Sequence, residues 1–181
     1  MKRLLSPIVV IIALAFPVAA AVTFSKPALL TSAGQSSDIA VVKALLNTKL
    51  KLGVEVKPLA QVEDLAGVKT LIVVVGASTK GLGAAGLDID KEIARTKTLL
   101  KAAKEKGIQV LALHTGGEAR RGKTSNDLIE IVVPQSQQVV IVASGNKDKI
   151  FTNLASKTGI SLTEVASLAA AGDSVKAAFK E

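Results

Sequence analysis

The sequence has no cysteine, no tryptophan and no tyrosine, and only one histidine, among 181 residues. Each absence closes a class of function. Without cysteine there is no disulfide, and no lipid can be attached at a leader cysteine. With a single histidine as well, a closed zinc site cannot be assembled from its usual ligands, and no metal is expected. The phenylalanines are Phe16, Phe24, Phe151 and Phe179. Single strands of nucleic acid are usually held by bases stacked on aromatic rings beside a positive groove. Half of that apparatus is missing, so no nucleic-acid partner is expected despite 23 basic residues against 15 acidic ones. The lysines are spread along the whole chain, as on solvated helix faces, and leave room for weak attraction to an anionic cell envelope.

What is present begins with the layout of a secretory signal. Lys2 and Arg3 precede an apolar run from Ile8 to Phe16, and the small residues Val18-Ala19-Ala20-Ala21 follow. Cleavage after Ala20 or Ala21 is expected, giving residues 1–21 as signal peptide and 22–181 as one domain. An uncleaved anchor is the alternative, because the uncharged stretch approaches the roughly 20 residues that a bilayer requires. Pro7 and Pro17 shorten such a helix, so no stable membrane insertion is expected after cleavage. The domain would be periplasmic, in the cell envelope or extracellular. Loss of Lys2 and Arg3 leaves it 21 basic and 15 acidic residues, a charge of about +6.

Short apolar runs then alternate with longer amphipathic segments, the pattern of a mostly parallel sheet covered by helices. Strands are expected at Ala28–Thr31, Val54–Val56, Thr70–Val75, Ile108–Leu113 and Val139–Ala143, with an edge strand and a helix in the tail from Ser161. The unbroken β-branched run at 70–75 implies burial on both faces, as in a central strand. Helices are expected at 36–50, 88–106, 125–133 and 147–157. The helix at 88–106 is acidic at its start and basic at its end, which suits its dipole. Asp88 and Asp90 read as capping charges there, because the other ligands of a calcium loop do not follow. The fold class is α/β, a three-layer sandwich with a flavodoxin-like or Rossmann-like sheet, and the order 2-1-3-4-5 is expected.

In such sheets, ligands bind outside the carboxyl ends of the strands, where neighbouring loops part. The loops at that end are 32–38, 76–81, 114–122 and 144–147, and all are rich in glycine and hydrogen-bonding side chains. The third carries the sole histidine, His114, then Gly116, Gly117, Glu118, Arg120 and Arg121. Guanidinium forks pair with carboxylates and phosphates, and flanking glycines let a ligand approach the backbone. A small anionic ligand is therefore expected, bound by these residues with Ser32, Gly34, Gln35, Ser36, Ser78 and Lys80. No cofactor is expected. Gly81-Leu82-Gly83-Ala84-Ala85-Gly86 spells G-x-G-x-x-G, but it starts about five residues after its strand and no acidic residue ends a following strand at the required distance. Thr79-Lys80-Gly81 reverses the lysine and glycine of a Walker motif. A hydrolase combining Ser36 or Ser78 with His114 and Asp38 or Asp127 is the enzymatic alternative, although G-x-S-x-G is absent. A structural envelope protein is the other alternative, and oligomeric state is not legible.

The segments Lys26-Pro27-Ala28-Leu29-Leu30-Thr31-Ser32-Ala33-Gly34-Gln35-Ser36 and His114-Thr115-Gly116-Gly117-Glu118-Ala119-Arg120-Arg121-Gly122 resemble bacterial exported proteins grouped as domain of unknown function 6305. The resemblance implies membership over most of the chain after the leader. It implies no activity, and it points to the same two loops.

Overall fold

The computed structural model describes residues 22–179, so the expected signal peptide lies outside the described residues. Six strands form one parallel sheet: β1 Ala28–Ala33, β2 Glu55–Val56, β3 Thr70–Val75, β4 Gln109–His114, β5 Gln138–Val142 and β6 Ser161–Val165. Their order is β2-β1-β3-β4-β5-β6. This is the expected 2-1-3-4-5 arrangement with the tail strand added at the far edge. The helices are α1 Asp38–Lys43, α2 Thr79–Ala84, α3 Ile89–Glu105, α4 Lys123–Val132, α5 Ile150–Thr158 and α6 Leu168–Ala178.

The hydrophobic pattern dictates three layers. Alternate residues of a strand face opposite sides, and here both sets are apolar. Leu71, Val73, Val110, Ala112, Val139 and Ile141 pack against α3, α4 and α5 through Leu99, Leu100, Leu128, Ile129 and Phe151. Ile72, Val74, Leu111, Leu113 and Val140 face the other way, onto Val42 of α1 and Ala171 and Val175 of α6. Each such side chain, fully buried, contributes about 1.5–3 kcal/mol. The edge strands differ as they should: β2 is two residues long, and no residue of β6 is fully buried.

Two helices depart from expectation. The segment expected as one helix over 36–50 starts at Asp38 and widens into a π-helical turn at Ala44–Lys49 that carries the buried Leu45 and Leu46. Gly172 of α6 sits against it, where a Cβ would lie 2.8 Å from a Leu45 methyl. The short α2 begins inside the expected loop 76–81. Its Ser78 cap accepts the Gly81 amide proton at 3.1 Å, a start signal hidden among glycines. By contrast, α3 is bounded as expected: the Asp88 side chain accepts from the Lys91 amide at 2.8 Å, and Gly107 follows with φ 67°. Asp88 is a capping residue.

Candidate functional site

The strand order reverses between β1 and β3, the place where a crevice ordinarily opens. In this protein it is sealed by backbone. The ladder continues beyond the strands, with Gly76 donating to the Ala33 carbonyl and Ser78 to the Gly34 carbonyl, both at 2.9 Å. Gly34 has φ 107°, and a Cβ there would fall 2.5 Å from the Gly76 oxygen, so only glycine fits. Gly81 of α2 packs more closely still on the Gln35 carbonyl.

A buried ion pair holds the seal from below. Glu92 of α3 is fully buried and accepts the Gly34 amide at 2.8 Å, the Gln35 side-chain amide at 3.0 Å, and Nε and Nη2 of Arg95 at 2.8 Å each. Arg95 also donates to the carbonyls of Ser32 at 2.5 Å and Ala60 at 2.9 Å. In the sequence Glu92 belongs to the acidic start of the 88–106 helix, where the dipole alone accounts for it, and this role was missed. The available signal was a Glu and an Arg three apart on the helix that follows the crossover.

The remaining expected residues fall into separate sectors. Arg120 turns toward the start of α1, where Nε donates to Asp38 at 3.2 and 3.3 Å and Nη2 donates to Ser37 Oγ at 3.0 Å. Its stem and the Asp38 carboxylate crowd Gly116. Ser36 is buried nearby, beside Gly76, and neither its hydroxyl nor that of Ser32 makes a hydrogen bond among the described residues. Arg121 points the other way, toward the loop after β5. It donates to both carboxylate oxygens of Asp148 at 2.9 and 2.7 Å, to Asn126 and to the Gly145 carbonyl, and its guanidinium lies 5.6 Å from the centre of the Phe151 ring. That bidentate hydrogen bond holds the Asp148 carboxyl below its usual pKa range. Exposed Glu118 pairs with Lys147, and exposed Lys80 makes no ion pair among the described residues.

His114 lies at the end of β4 itself, fully buried. Its Nδ1 sits 2.9 Å from the Val75 carbonyl and its Nε2 3.1 Å from the Gly117 carbonyl, with the ring against Phe151. Burial pushes its pKa down, while the two carbonyls, and more weakly the Asp38 charge, oppose that shift. Among the described residues, no serine hydroxyl and no carboxylate hydrogen-bonds the ring. A relay from Ser36 or Ser78 through His114 to Asp38 or Asp127 is therefore not assembled; Asp38 is held by Arg120, and Asp127 pairs with Lys123 on α4.

An open polar space does exist one step along the rim, between the loops after β3 and β4. It measures about 170 Å³ and is lined by Ala77, Thr79, Arg121, Lys123, Thr124 and Ser125. Gly122 precedes α4 with φ 145° and brings no side chain to cap it. The first-turn amides of Lys123, Thr124 and Ser125 consequently meet no acceptor among the described residues. Ser125 pins the wall by accepting the Ala77 amide proton at 2.9 Å. Of the residues expected to bind a ligand, Arg121 lines this space. The Thr79, Lys123, Thr124 and Ser125 contribution was missed because α4 was expected to begin at Ser125.

With this geometry in view, sequence comparison places the chain in a family. Residues 25–179 match the profile of domain of unknown function 6305. The chain belongs to that family. No curated protein matches it. The family match spans the whole sheet and all six helices, so the sealed switch point and the open cleft both lie within the domain 6305 region.

Proposed function

We infer that this domain 6305 protein is an exported binding module that takes a small anionic ligand at the strand carboxyl ends. One observation carries the reading: the uncapped first turn of α4 opens into a polar cleft flanked by Arg121 and Lys123. Free amides and the positive end of the helix dipole favour an anion at such a place. Arg121 supplies a fixed wall, since its donors already reach Asp148, Asn126 and Gly145 and its charge is paired with the Asp148 carboxylate. Lys123 supplies an ammonium on a side chain that is 89% exposed, and its surface ion pair with Asp127 at 2.9 Å is weak enough to be exchanged for an anion in the cleft. The hydroxyls of Thr79 and Thr124 complete a small, hydrophilic lining that suits phosphate or a short carboxylate better than an apolar ligand. The leader read at residues 1–21 supports export.

A thermal-shift series with phosphate, nucleotides and short carboxylates tests the reading, using an extrinsic dye because tryptophan is absent. A ligand at ten times its dissociation constant adds about 1.4 kcal/mol, worth roughly 3–6 °C for a domain of this size. Lys123→Glu should remove the shift without altering the unliganded midpoint by more than about 1 °C. A shift that survives Lys123→Glu and Arg121→Gln alike places the ligand elsewhere.

A further inference from the structure

We propose that the groove between α3 and α4 is a docking site for an extended peptide segment rich in acidic and apolar residues. A cleft of about 400 Å³ separates the two helices, floored by Leu100, Ile131 and Pro134 and edged by Lys97, Lys101 and Lys104. It runs on beneath the lower rim of the sheet into a second hollow of about 360 Å³, the two sharing Lys104, Pro134 and Gln135. This is the end of the sheet opposite the anion cleft, so the inference stands apart from the function proposed above.

Charge selects an acidic occupant. The three lysines recur at positions i, i+4 and i+7, which lines them along one side of α3 within about 10 Å. Glu130 is the one carboxylate lining the cleft. Among the described residues, Lys97 and Lys104 have no carboxylate within ion-pair distance, and Lys101 reaches only Glu105, at 3.8 Å with both side chains exposed. Complementing the helix dipole accounts for lysines in the last turn of α3, but Lys97 lies two turns earlier, beyond its reach.

Shape and lining then choose among acidic partners. A bilayer surface calls for apolar side chains that protrude, whereas Leu100 is buried at the bottom of a concave slot. A long alkyl chain would leave the apolar floor and enter the second hollow, which is lined by Gln109, Gln135 and Gln137. Gln137 is engaged by the Val110 amide at 2.6 Å. Among the described residues, the side-chain amides of Gln109 and Gln135 have no hydrogen-bond partner, and they stand ready for a peptide backbone. An extended segment therefore places apolar side chains on Leu100 and Ile131, carboxylates against the lysine row, and main-chain groups on the glutamines.

The test is a nitrogen-15 amide titration of the protein with an acetylated ten-residue peptide of alternating glutamate and leucine, run beside a lysine-leucine counterpart and phosphatidylglycerol vesicles. The expected result is saturable shifts confined to residues 97–110 and 130–137 with the acidic peptide alone. Lys97→Glu with Lys101→Glu should weaken it about ten-fold or more, because like charges then face each other across the interface. Both positions are solvent-exposed, so an unchanged amide spectrum of the free variant will confirm its fold. Absence of shifts in this groove at millimolar peptide overturns the proposal. So does equal binding by the lysine-leucine peptide, or vesicle binding that depends on the same lysines.

Discussion

Replacing Glu92 by glutamine removes one charge from a fully buried cluster while nearly preserving its shape. Arg95, whose side chain is 6% exposed, is then left as an uncompensated cation under the β1 loop. Breaking a buried pair from one side costs about 3–5 kcal/mol. For a domain of about 160 residues this corresponds to a fall in midpoint of roughly 6–20 °C. The hydrogen bonds from Gly34 and Gln35 are weakened in the same step, because a neutral amide oxygen accepts less strongly than a carboxylate. Urea unfolding followed by far-ultraviolet circular dichroism is the appropriate assay. Arg95→Met should cost as much, and the double variant Glu92→Gln/Arg95→Met should cost clearly less than the two singles together, since neither buried charge then remains. A loss below about 1 kcal/mol for Glu92→Gln would refute the claim that this pair holds the switch point closed.

Three further outcomes follow from the geometry. Gly34→Ala should destabilise by at least about 2 kcal/mol, from a left-handed backbone and a Cβ driven into Gly76; thermal denaturation with an unchanged midpoint would contradict it. His114 has a folded pKa depressed by burial, so the unfolded chain binds the proton more readily. Stability should therefore be fully present above pH 6.5 and decline as pH falls from there toward the folded value. As the sole histidine, it is the one side chain with an ordinary pKa inside that window, and His114→Asn should reduce the slope of urea midpoints measured between about pH 5.5 and 7. Phe151→Ala should cost about 3–5 kcal/mol, since Phe151 is wholly buried beneath both His114 and Arg121; a loss under about 1.5 kcal/mol on urea unfolding would show that this packing is dispensable.

Much of the fold was legible because periodicity and punctuation agreed. The run at 70–75 contains no polar interruption other than Thr70 and became β3 with those very bounds. Asp88 and Gly107 framed α3 to within one residue. The switch point was harder to read. Glycines at 34, 76 and 81 suggest room for a ligand, yet Gly34 and Gly81 instead let the chain close on the backbone of Gly76 and Gln35. Composition cannot distinguish an opened glycine loop from a sealed one. The arginines present a similar ambiguity: adjacent in sequence, Arg120 and Arg121 diverge because Arg120 ends a 3-10 turn while Arg121 is extended, and each finds an aspartate more than 25 residues away. Such long-range pairings leave no local trace. The cleft beside α4 went unread for a smaller reason, a helix start misplaced by two residues.

Phosphate titration of nitrogen-15-labelled protein, followed at the amides of Lys123, Thr124 and Ser125, addresses the anion cleft most directly. Saturable downfield movement of those three signals, lost in Lys123→Glu, is the outcome expected from an open first turn that accepts an anion. Unmoved signals there at tens of millimolar phosphate, with or without shifts elsewhere on the rim, would contradict it.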